Sequence, residues 1–166
     1  MGLDVSHGCW SGAYSAFMRW RRQIAKCAGI PLPLMEGYYV PPNEEVLEWL
    51  RPREGGPLCQ SHLGPALTYW LDDVRSALPL SWEPFRWNWR VGFSDPLIVL
   101  LNHSDCDGKI DSEDCAHLAE RLEGLLPQLR ELSDDPGHIG SWVEKTQRFI
   151  DGLRLAAAAG EAVEFH

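Results

Sequence analysis

The chain has 166 residues, 45% of them apolar and 23% charged, with a formal net charge of -9. This composition fits a single globular domain over 1–166 and excludes a disordered chain, a collagen or a coiled coil. The balance of 24 Asp and Glu against 15 Lys and Arg argues against a duplex nucleic-acid partner, because such affinity comes from neutralised phosphates. A small anionic ligand needs only a local basic pocket and stays open. No apolar run is longer than Leu97 to Leu101, far short of the roughly 20 residues that cross a bilayer. The opening residues carry Asp4 and no basic region, so a signal peptide is not expected. Five cysteines, with no C-x-x-C, fit reduced thiols in a cytoplasm.

Taken in chain order, Gly2 to Ser6 reads as a short first strand. Ser11 to Ala28 reads as a helix capped by Ser11, with Tyr14, Phe17, Met18, Ile24, Ala25 and Ala28 at helical spacing and Gly29 ending it. An irregular stretch at about 30–65 holds Pro31, Pro33, Pro41, Pro42, Pro52 and Pro57, with a short helix from Asn43 to Arg51 inside it. A further helix is predicted over Pro65 to Leu78. Ser81 to Arg90 alternates, with Phe85, Trp87 and Trp89 on one side and Arg86, Asn88 and Arg90 on the other, the pattern of a half-buried strand. Asp95 and Pro96 open another apolar helical turn. Leu118 to Leu126 and Ser141 to Ala159 follow as amphipathic helices, the second with Trp142, Thr146, Phe149, Ile150 and Leu153 inward. Glu161 to His166 alternates weakly and suits a strand beside the first one. The expected fold is α+β, mainly helical, with a small sheet of the N-terminal, Trp-rich and C-terminal strands.

Three places carry chemistry. The first is His103 to Asp114, which resembles an EF-hand loop: a helix, twelve residues, a helix, with Gly108 sixth and Ile110 eighth. The resemblance makes Asp105, Asp107, Asp111, Asp114 and the Lys109 carbonyl the ligands of a divalent cation, calcium in the first instance. His103 at the first position and Asp114 in place of a twelfth-position Glu depart from the pattern. His103, Asp105 and Asp107 also suit zinc or another transition metal. Turn and cap chemistry explains Gly108, Asp111 and Asp114 equally well.

The second place is Ser6 to Phe17. Read as a strand-to-helix turn, it puts Cys9 at the positive end of a helix dipole, where a thiolate is favoured. Cys9-Trp10 before a helix faintly resembles the nucleophile turn of papain-like and transglutaminase-like thiol enzymes. In that reading Cys9 is the nucleophile, His103 or His117 the base and Asp105 the orienting acid. The alternative is a ligand pocket with His7, Trp10 and Tyr14 at its mouth, facing the His103 loop. The third place is the Trp/Arg strand. Trp87 and Trp89 offer faces for a base, and Arg86 and Arg90 offer forks for phosphate.

Three blocks, MGLDVSHGCWSGAYSAF, LLNHSDCDGKIDSEDC and TQRFIDGLRLAA, resemble a family of small bacteriophage, prophage and bacterial proteins. The resemblance implies a context, a phage-type accessory protein in the host cytoplasm, rather than an activity. In that context the expected function is binding of a small molecule, in one version a nucleotide-derived immune signal sequestered against host defence. The rival expectations are a metal-dependent or thiol hydrolase on His7, Cys9, His103, Asp105 and Asp107, and a calcium-binding or inhibitory module that docks on a host protein.

Overall fold

The computed structural model describes residues 2–30, 32, 35, 95–101, 103, 108–135, 137 and 139–166. The helices expected at 43–51 and 65–78 and the Trp-rich strand at 81–90 lie outside the described residues, as does nearly all of the Pro-rich stretch.

The chain opens as a hairpin. Strand β1 (Leu3–Val5) pairs antiparallel with β2 (Trp10–Gly12), Val5 opposite Trp10 and Leu3 opposite Gly12. A four-residue corner, Ser6 to Cys9, joins them, and its first three residues form a single 3-10 turn. His7 and Gly8 take left-handed conformations in succession, φ 57° and 71°. Gly8 does so freely, whereas His7 carries about 1–2 kcal/mol of strain for it.

Helix α1 (Tyr14–Ala28) begins three residues later than the sequence suggests. Ser11, the expected cap, is a strand residue paired with Asp4, and Ala13 takes the cap position. Gly29, at φ 67°, closes the helix. Its amide and that of Ile30 bond back to Lys26 and Ala25, so two carbonyls at the helix end are satisfied.

Helix α2 (Leu97–Leu101) is buried along its whole length. Asp95 caps it, accepting from the Leu97 amide at 3.1 Å, as its position in the sequence predicts. The Asp95 carboxylate also receives the Arg121 guanidinium through Nε and one terminal nitrogen, which fastens α2 to the next helix. Strand β3 (Gly108–Ile110) leads into α3 (Ser112–Glu123), then α4 (Leu126–Arg130) and α5 (Trp142–Ala159). The helical stretch expected from Leu118 thus starts six residues earlier and stops at Glu123. Ser141 caps α5, accepting from the Glu144 amide. Strand β4 (Val163–Phe165) ends the chain's regular structure.

The sheet runs β2-β1-β4-β3, antiparallel throughout. The C-terminal strand does pair with the first one, Val5 opposite Phe165, and Asp4 and His166 exchange both backbone bonds beside it. Among the described residues, two of the four strands were unexpected. β2 comes from residues read as a helix start, and β3 from the acidic loop. Leu3, Val5, Val163 and Phe165 alternate inward, while Asp4 and Glu164 face out. The fold is α+β, with helices against the inner face of a small sheet.

Aromatic rings dominate the core. Trp10, Phe17, Trp20 and Phe149 pack with ring centroids 4.8–6.3 Å apart, and Phe165 joins through Phe17 at 5.9 Å. Burying each such side chain contributes about 1.5–3 kcal/mol relative to exposure. Trp20 donates to Thr146 Oγ1 at 2.9 Å, and Thr146 donates to the Trp142 carbonyl, whereas the buried Trp10 Nε1 has no hydrogen-bond partner among the described residues. Arg21 is also fully buried. It donates to the carbonyls of Leu100 and His103 and lies over the Phe17 ring, tying α1 to the end of α2. No helix among the described residues is long and apolar enough to cross a membrane.

Candidate functional site

The hairpin corner docks on α5, and two residues one helical turn apart make that possible. Gly152 has no side chain where the corner approaches: a Cβ there would stand 2.9 Å from the Cys9 nitrogen and 2.9 Å from the His7 carbonyl. Arg148 donates through Nε to the Gly8 carbonyl at 2.8 Å.

The same helix delivers a carboxylate to the corner from its far end. Gly160, at φ 69°, stops α5, and the amides of Gly160 and Glu161 bond back to Ala157 and Ala156. This closure fixes where Glu161 leaves the helix. Its Oε2 lies 2.9 Å from His7 Nε2, and His7 Nδ1 lies 2.9 Å from Ser6 Oγ. Ser6 Oγ in turn accepts the Glu164 amide at 2.8 Å.

The partners assign the protons. An ionised carboxylate only accepts, so in the neutral imidazole Nε2 carries the hydrogen and Nδ1 accepts. Ser6 Oγ already accepts from Glu164, so its own hydrogen points to His7 Nδ1. The result is one directed chain: Glu164 N–H to Ser6, Ser6 O–H to His7, His7 N–H to Glu161. A hydroxyl, a base and an orienting carboxylate stand at hydrogen-bond spacing. A strained histidine in such a chain, held by its partners on both sides, is a mark of functional sites.

Beside the corner runs an open groove of about 450 Å³, lined by His7, Gly8, Val143, Glu144, Gln147, Arg148, Asp151, Gly152 and Leu155. That volume lies in the range of small-molecule sites. Leu155 is 61% exposed within it.

Of the predicted site residues that the structure describes, His7 lines this groove. Trp10 is 2% exposed in the aromatic cluster, and Tyr14 packs against the core from α1. His103 stacks on Phe165 at 4.0 Å, and its backbone carbonyl is held by Arg21. Of the expected mouth of His7, Trp10 and Tyr14, Trp10 is turned inward, because the corner leads into a strand rather than a helix.

Cys9 is corrected for the same reason. It precedes β2 rather than a helix and is fully buried, and the loss of water outweighs the opposing charge of Arg148. Burial pushes its thiol up to about 12, with Cys115 nearby adding to the effect. Cys115 is raised to about 11 by the same cause. An activated thiolate at Cys9 is the opposite of what this environment favours.

In the acidic loop, Asp105 and Asp107 lie outside the described residues. Lys109 Nζ pairs with Asp111 Oδ1 at 3.1 Å, and Asp114 is buried in the first turn of α3. Asp111 takes the cap position of α3 but makes no side-chain cap bond. Among the described residues, no group of three or more His, Cys, Asp or Glu side chains is placed to hold a metal ion. Arg86, Trp87, Trp89 and Arg90 are outside the described residues as well.

Sequence reasoning missed Ser6, Arg148, Gly152 and Glu161. Ser6 was visible as the neighbour of His7. Glu161 was not, because 154 residues separate it from its partner. Searches of this chain against protein-family models, curated proteins and solved structures find no match.

Proposed function

We propose that this is a ligand-binding protein whose site is the groove between the Ser6–Cys9 corner and α5. The observation that carries the reading is His7. Its ring is locked from both sides by Ser6 and Glu161 in a strained backbone conformation, and it borders a groove of small-molecule size. The lining sets the ligand class. Val143 and Leu155 offer apolar contact, Gln147 and Arg148 offer donors, and Glu144 and Asp151 offer carboxylates. Two carboxylates against one guanidinium disfavour a polyanion and favour a neutral or zwitterionic molecule.

The finer reading, a phage-type accessory protein in a host cytoplasm that sequesters a nucleotide-derived signal, is supported by the sequence resemblance and by the Trp/Arg pattern of 82–90. It needs Arg86, Trp87, Trp89 and Arg90 to supply the phosphate and base contacts that the groove's charge does not. Isothermal titration separates the two versions. The panel contains neutral and zwitterionic metabolites together with cyclic and ADP-ribose-type nucleotides. Binding weakened by Arg148→Ala and untouched by Trp87→Ala places the ligand in the groove. Nucleotide binding lost in Trp87→Ala supports the finer reading. No heat from any member of the panel overturns both.

A further inference from the structure

Ser6, His7 and Glu161 together make more than a binding surface. We propose that Ser6 is a nucleophile and that this corner transfers the acyl group of a small neutral or cationic ester to water through an acyl-serine. The inference rests on the groove reading for where the substrate sits. It goes beyond that reading in assigning a reaction.

The geometry supplies the parts that nucleophilic catalysis requires. Nucleophile and base are 2.9 Å apart, and base and orienting carboxylate are 2.9 Å apart. The Glu164 amide donates to Ser6 Oγ at 2.8 Å and holds the hydroxyl with its own hydrogen free to point at His7 Nδ1. The His7 side chain is 18% exposed, so the pair is screened from bulk water but still reachable. His7 and Ser6 are neighbours in sequence, and the left-handed φ at His7 accompanies the turn of its ring back over the preceding hydroxyl. Strain of this kind is maintained only where surrounding contacts over-determine it, here Gly152, Arg148 and Glu161. Glu144 and Asp151 in the groove set the charge preference.

The step balances. Ser6 Oγ bonds to the ester carbonyl carbon as its proton passes to His7 Nδ1. Glu161 stabilises the imidazolium through Nε2. The carbon–oxygen bond to the leaving group breaks, and His7 returns the proton to the departing oxygen. Water then attacks the acyl-serine, gives one proton to His7 Nδ1, and releases the acid as Ser6 regains that proton. Ester and water become acid and alcohol, and the protein is unchanged. Ser6 and His7 are the catalytic residues; Glu161 is a positioning residue.

The test is covalent labelling of the full chain, with p-nitrophenyl acetate as substrate and a fluorophosphonate as trap, read by intact mass and peptide mapping. One fluorophosphonate adduct on Ser6 is expected, absent after heat denaturation. His7→Ala should slow labelling at least 100-fold and Glu161→Gln at least 10-fold, in the range of a lost general base and a lost orienting group. Because Glu161 is 65% exposed, Glu161→Gln should keep the wild-type Tm, so a slower rate there reads chemistry rather than unfolding. Its rate against pH should also change shape, which a purely structural contact would not produce. No adduct on Ser6, or equal labelling in His7→Ala, overturns the inference. Reversible binding of a groove ligand without any adduct overturns it too, and leaves the groove reading standing.

Discussion

Gly152 and Cys9 are in closest approach at the point where the hairpin corner meets α5, with room between them for hydrogen but not for a methyl group. In an ordinary helix interior, replacing Gly by Ala stabilises by up to about 1 kcal/mol. Here the added Cβ would meet backbone atoms of Cys9 and His7 that have no rotamer with which to yield. Gly152→Ala should therefore destabilise, by about 1–3 kcal/mol, the usual cost of overpacking. Urea denaturation checks the sign, and a gain in stability would show that the corner floats on the helix. The same variant should weaken groove binding, since the corner must shift to admit the methyl group.

The buried thiols make a prediction about alkaline stability. Burial holds Cys9 at about 12 and Cys115 at about 11 in the folded chain, against 9.0 for an unperturbed thiol. Both groups are neutral in either state below pH 9, so their contribution is fully present there. Above it the unfolded chain releases these protons and the folded chain does not, and stability falls up to pH 11–12. The slope is at most about 1.4 kcal/mol per pH unit per thiol. Denaturation curves between pH 8 and 11 should show a shallower decline for Cys9→Ala than for wild type.

Thiol reactivity follows from the same burial. At pH 8 in the folded protein, Cys9 and Cys115 should resist iodoacetamide, while Cys27, partly exposed on α1, is modified first among the three. Peptide mapping of the alkylated chain assigns each site. Rapid modification of Cys9 would revive the thiol-enzyme reading.

Arg21 should be the most sensitive charged residue of the core. Its guanidinium satisfies two backbone carbonyls at the end of α2, those of Leu100 and His103. Arg21→Met keeps much of the volume and removes the donors, leaving those oxygens to find others. A loss of about 2–3 kcal/mol is expected from unsatisfied buried acceptors. Faster amide exchange in 97–101 than elsewhere in the core should accompany it.

Trp20 and Thr146 should be energetically coupled. Trp20→Phe removes the indole donor and Thr146→Val removes both ends of the relay to Trp142. Each should cost about 1–2 kcal/mol, and the double variant less than the two together, because one hydrogen bond is counted in both. Additive losses measured by denaturation would mean that the two side chains contribute only through packing.

Long amphipathic patterns and local caps were legible in the sequence. The inward residues of α5, the Asp95 cap of α2 and the Gly29 stop of α1 are local matters of 3.6-residue periodicity and orphaned amides. The weak alternation of 161–166 was enough to place β4 against β1. The N-terminal corner misled because S-H-G-C-W-S-G holds a polar run that serves equally well before a helix or inside a hairpin. What settled it was pairing: Trp10 to Gly12 found Leu3 to Val5 as a partner and turned Trp10 into the aromatic core.

The sequence by itself determined the fold class and most helix positions in the described residues. Only the tertiary structure decided what His7 touches. Its partner Glu161 arrives from the far end of the chain, placed by a helix stop at Gly160, and the corner that holds Ser6 and His7 sits where Gly152 lets it approach. Helices and caps are set by neighbours a few residues apart, which a sequence displays. A relay between Ser6, His7 and Glu161 depends on sheet closure and helix packing, which bring distant residues together without leaving a periodic trace.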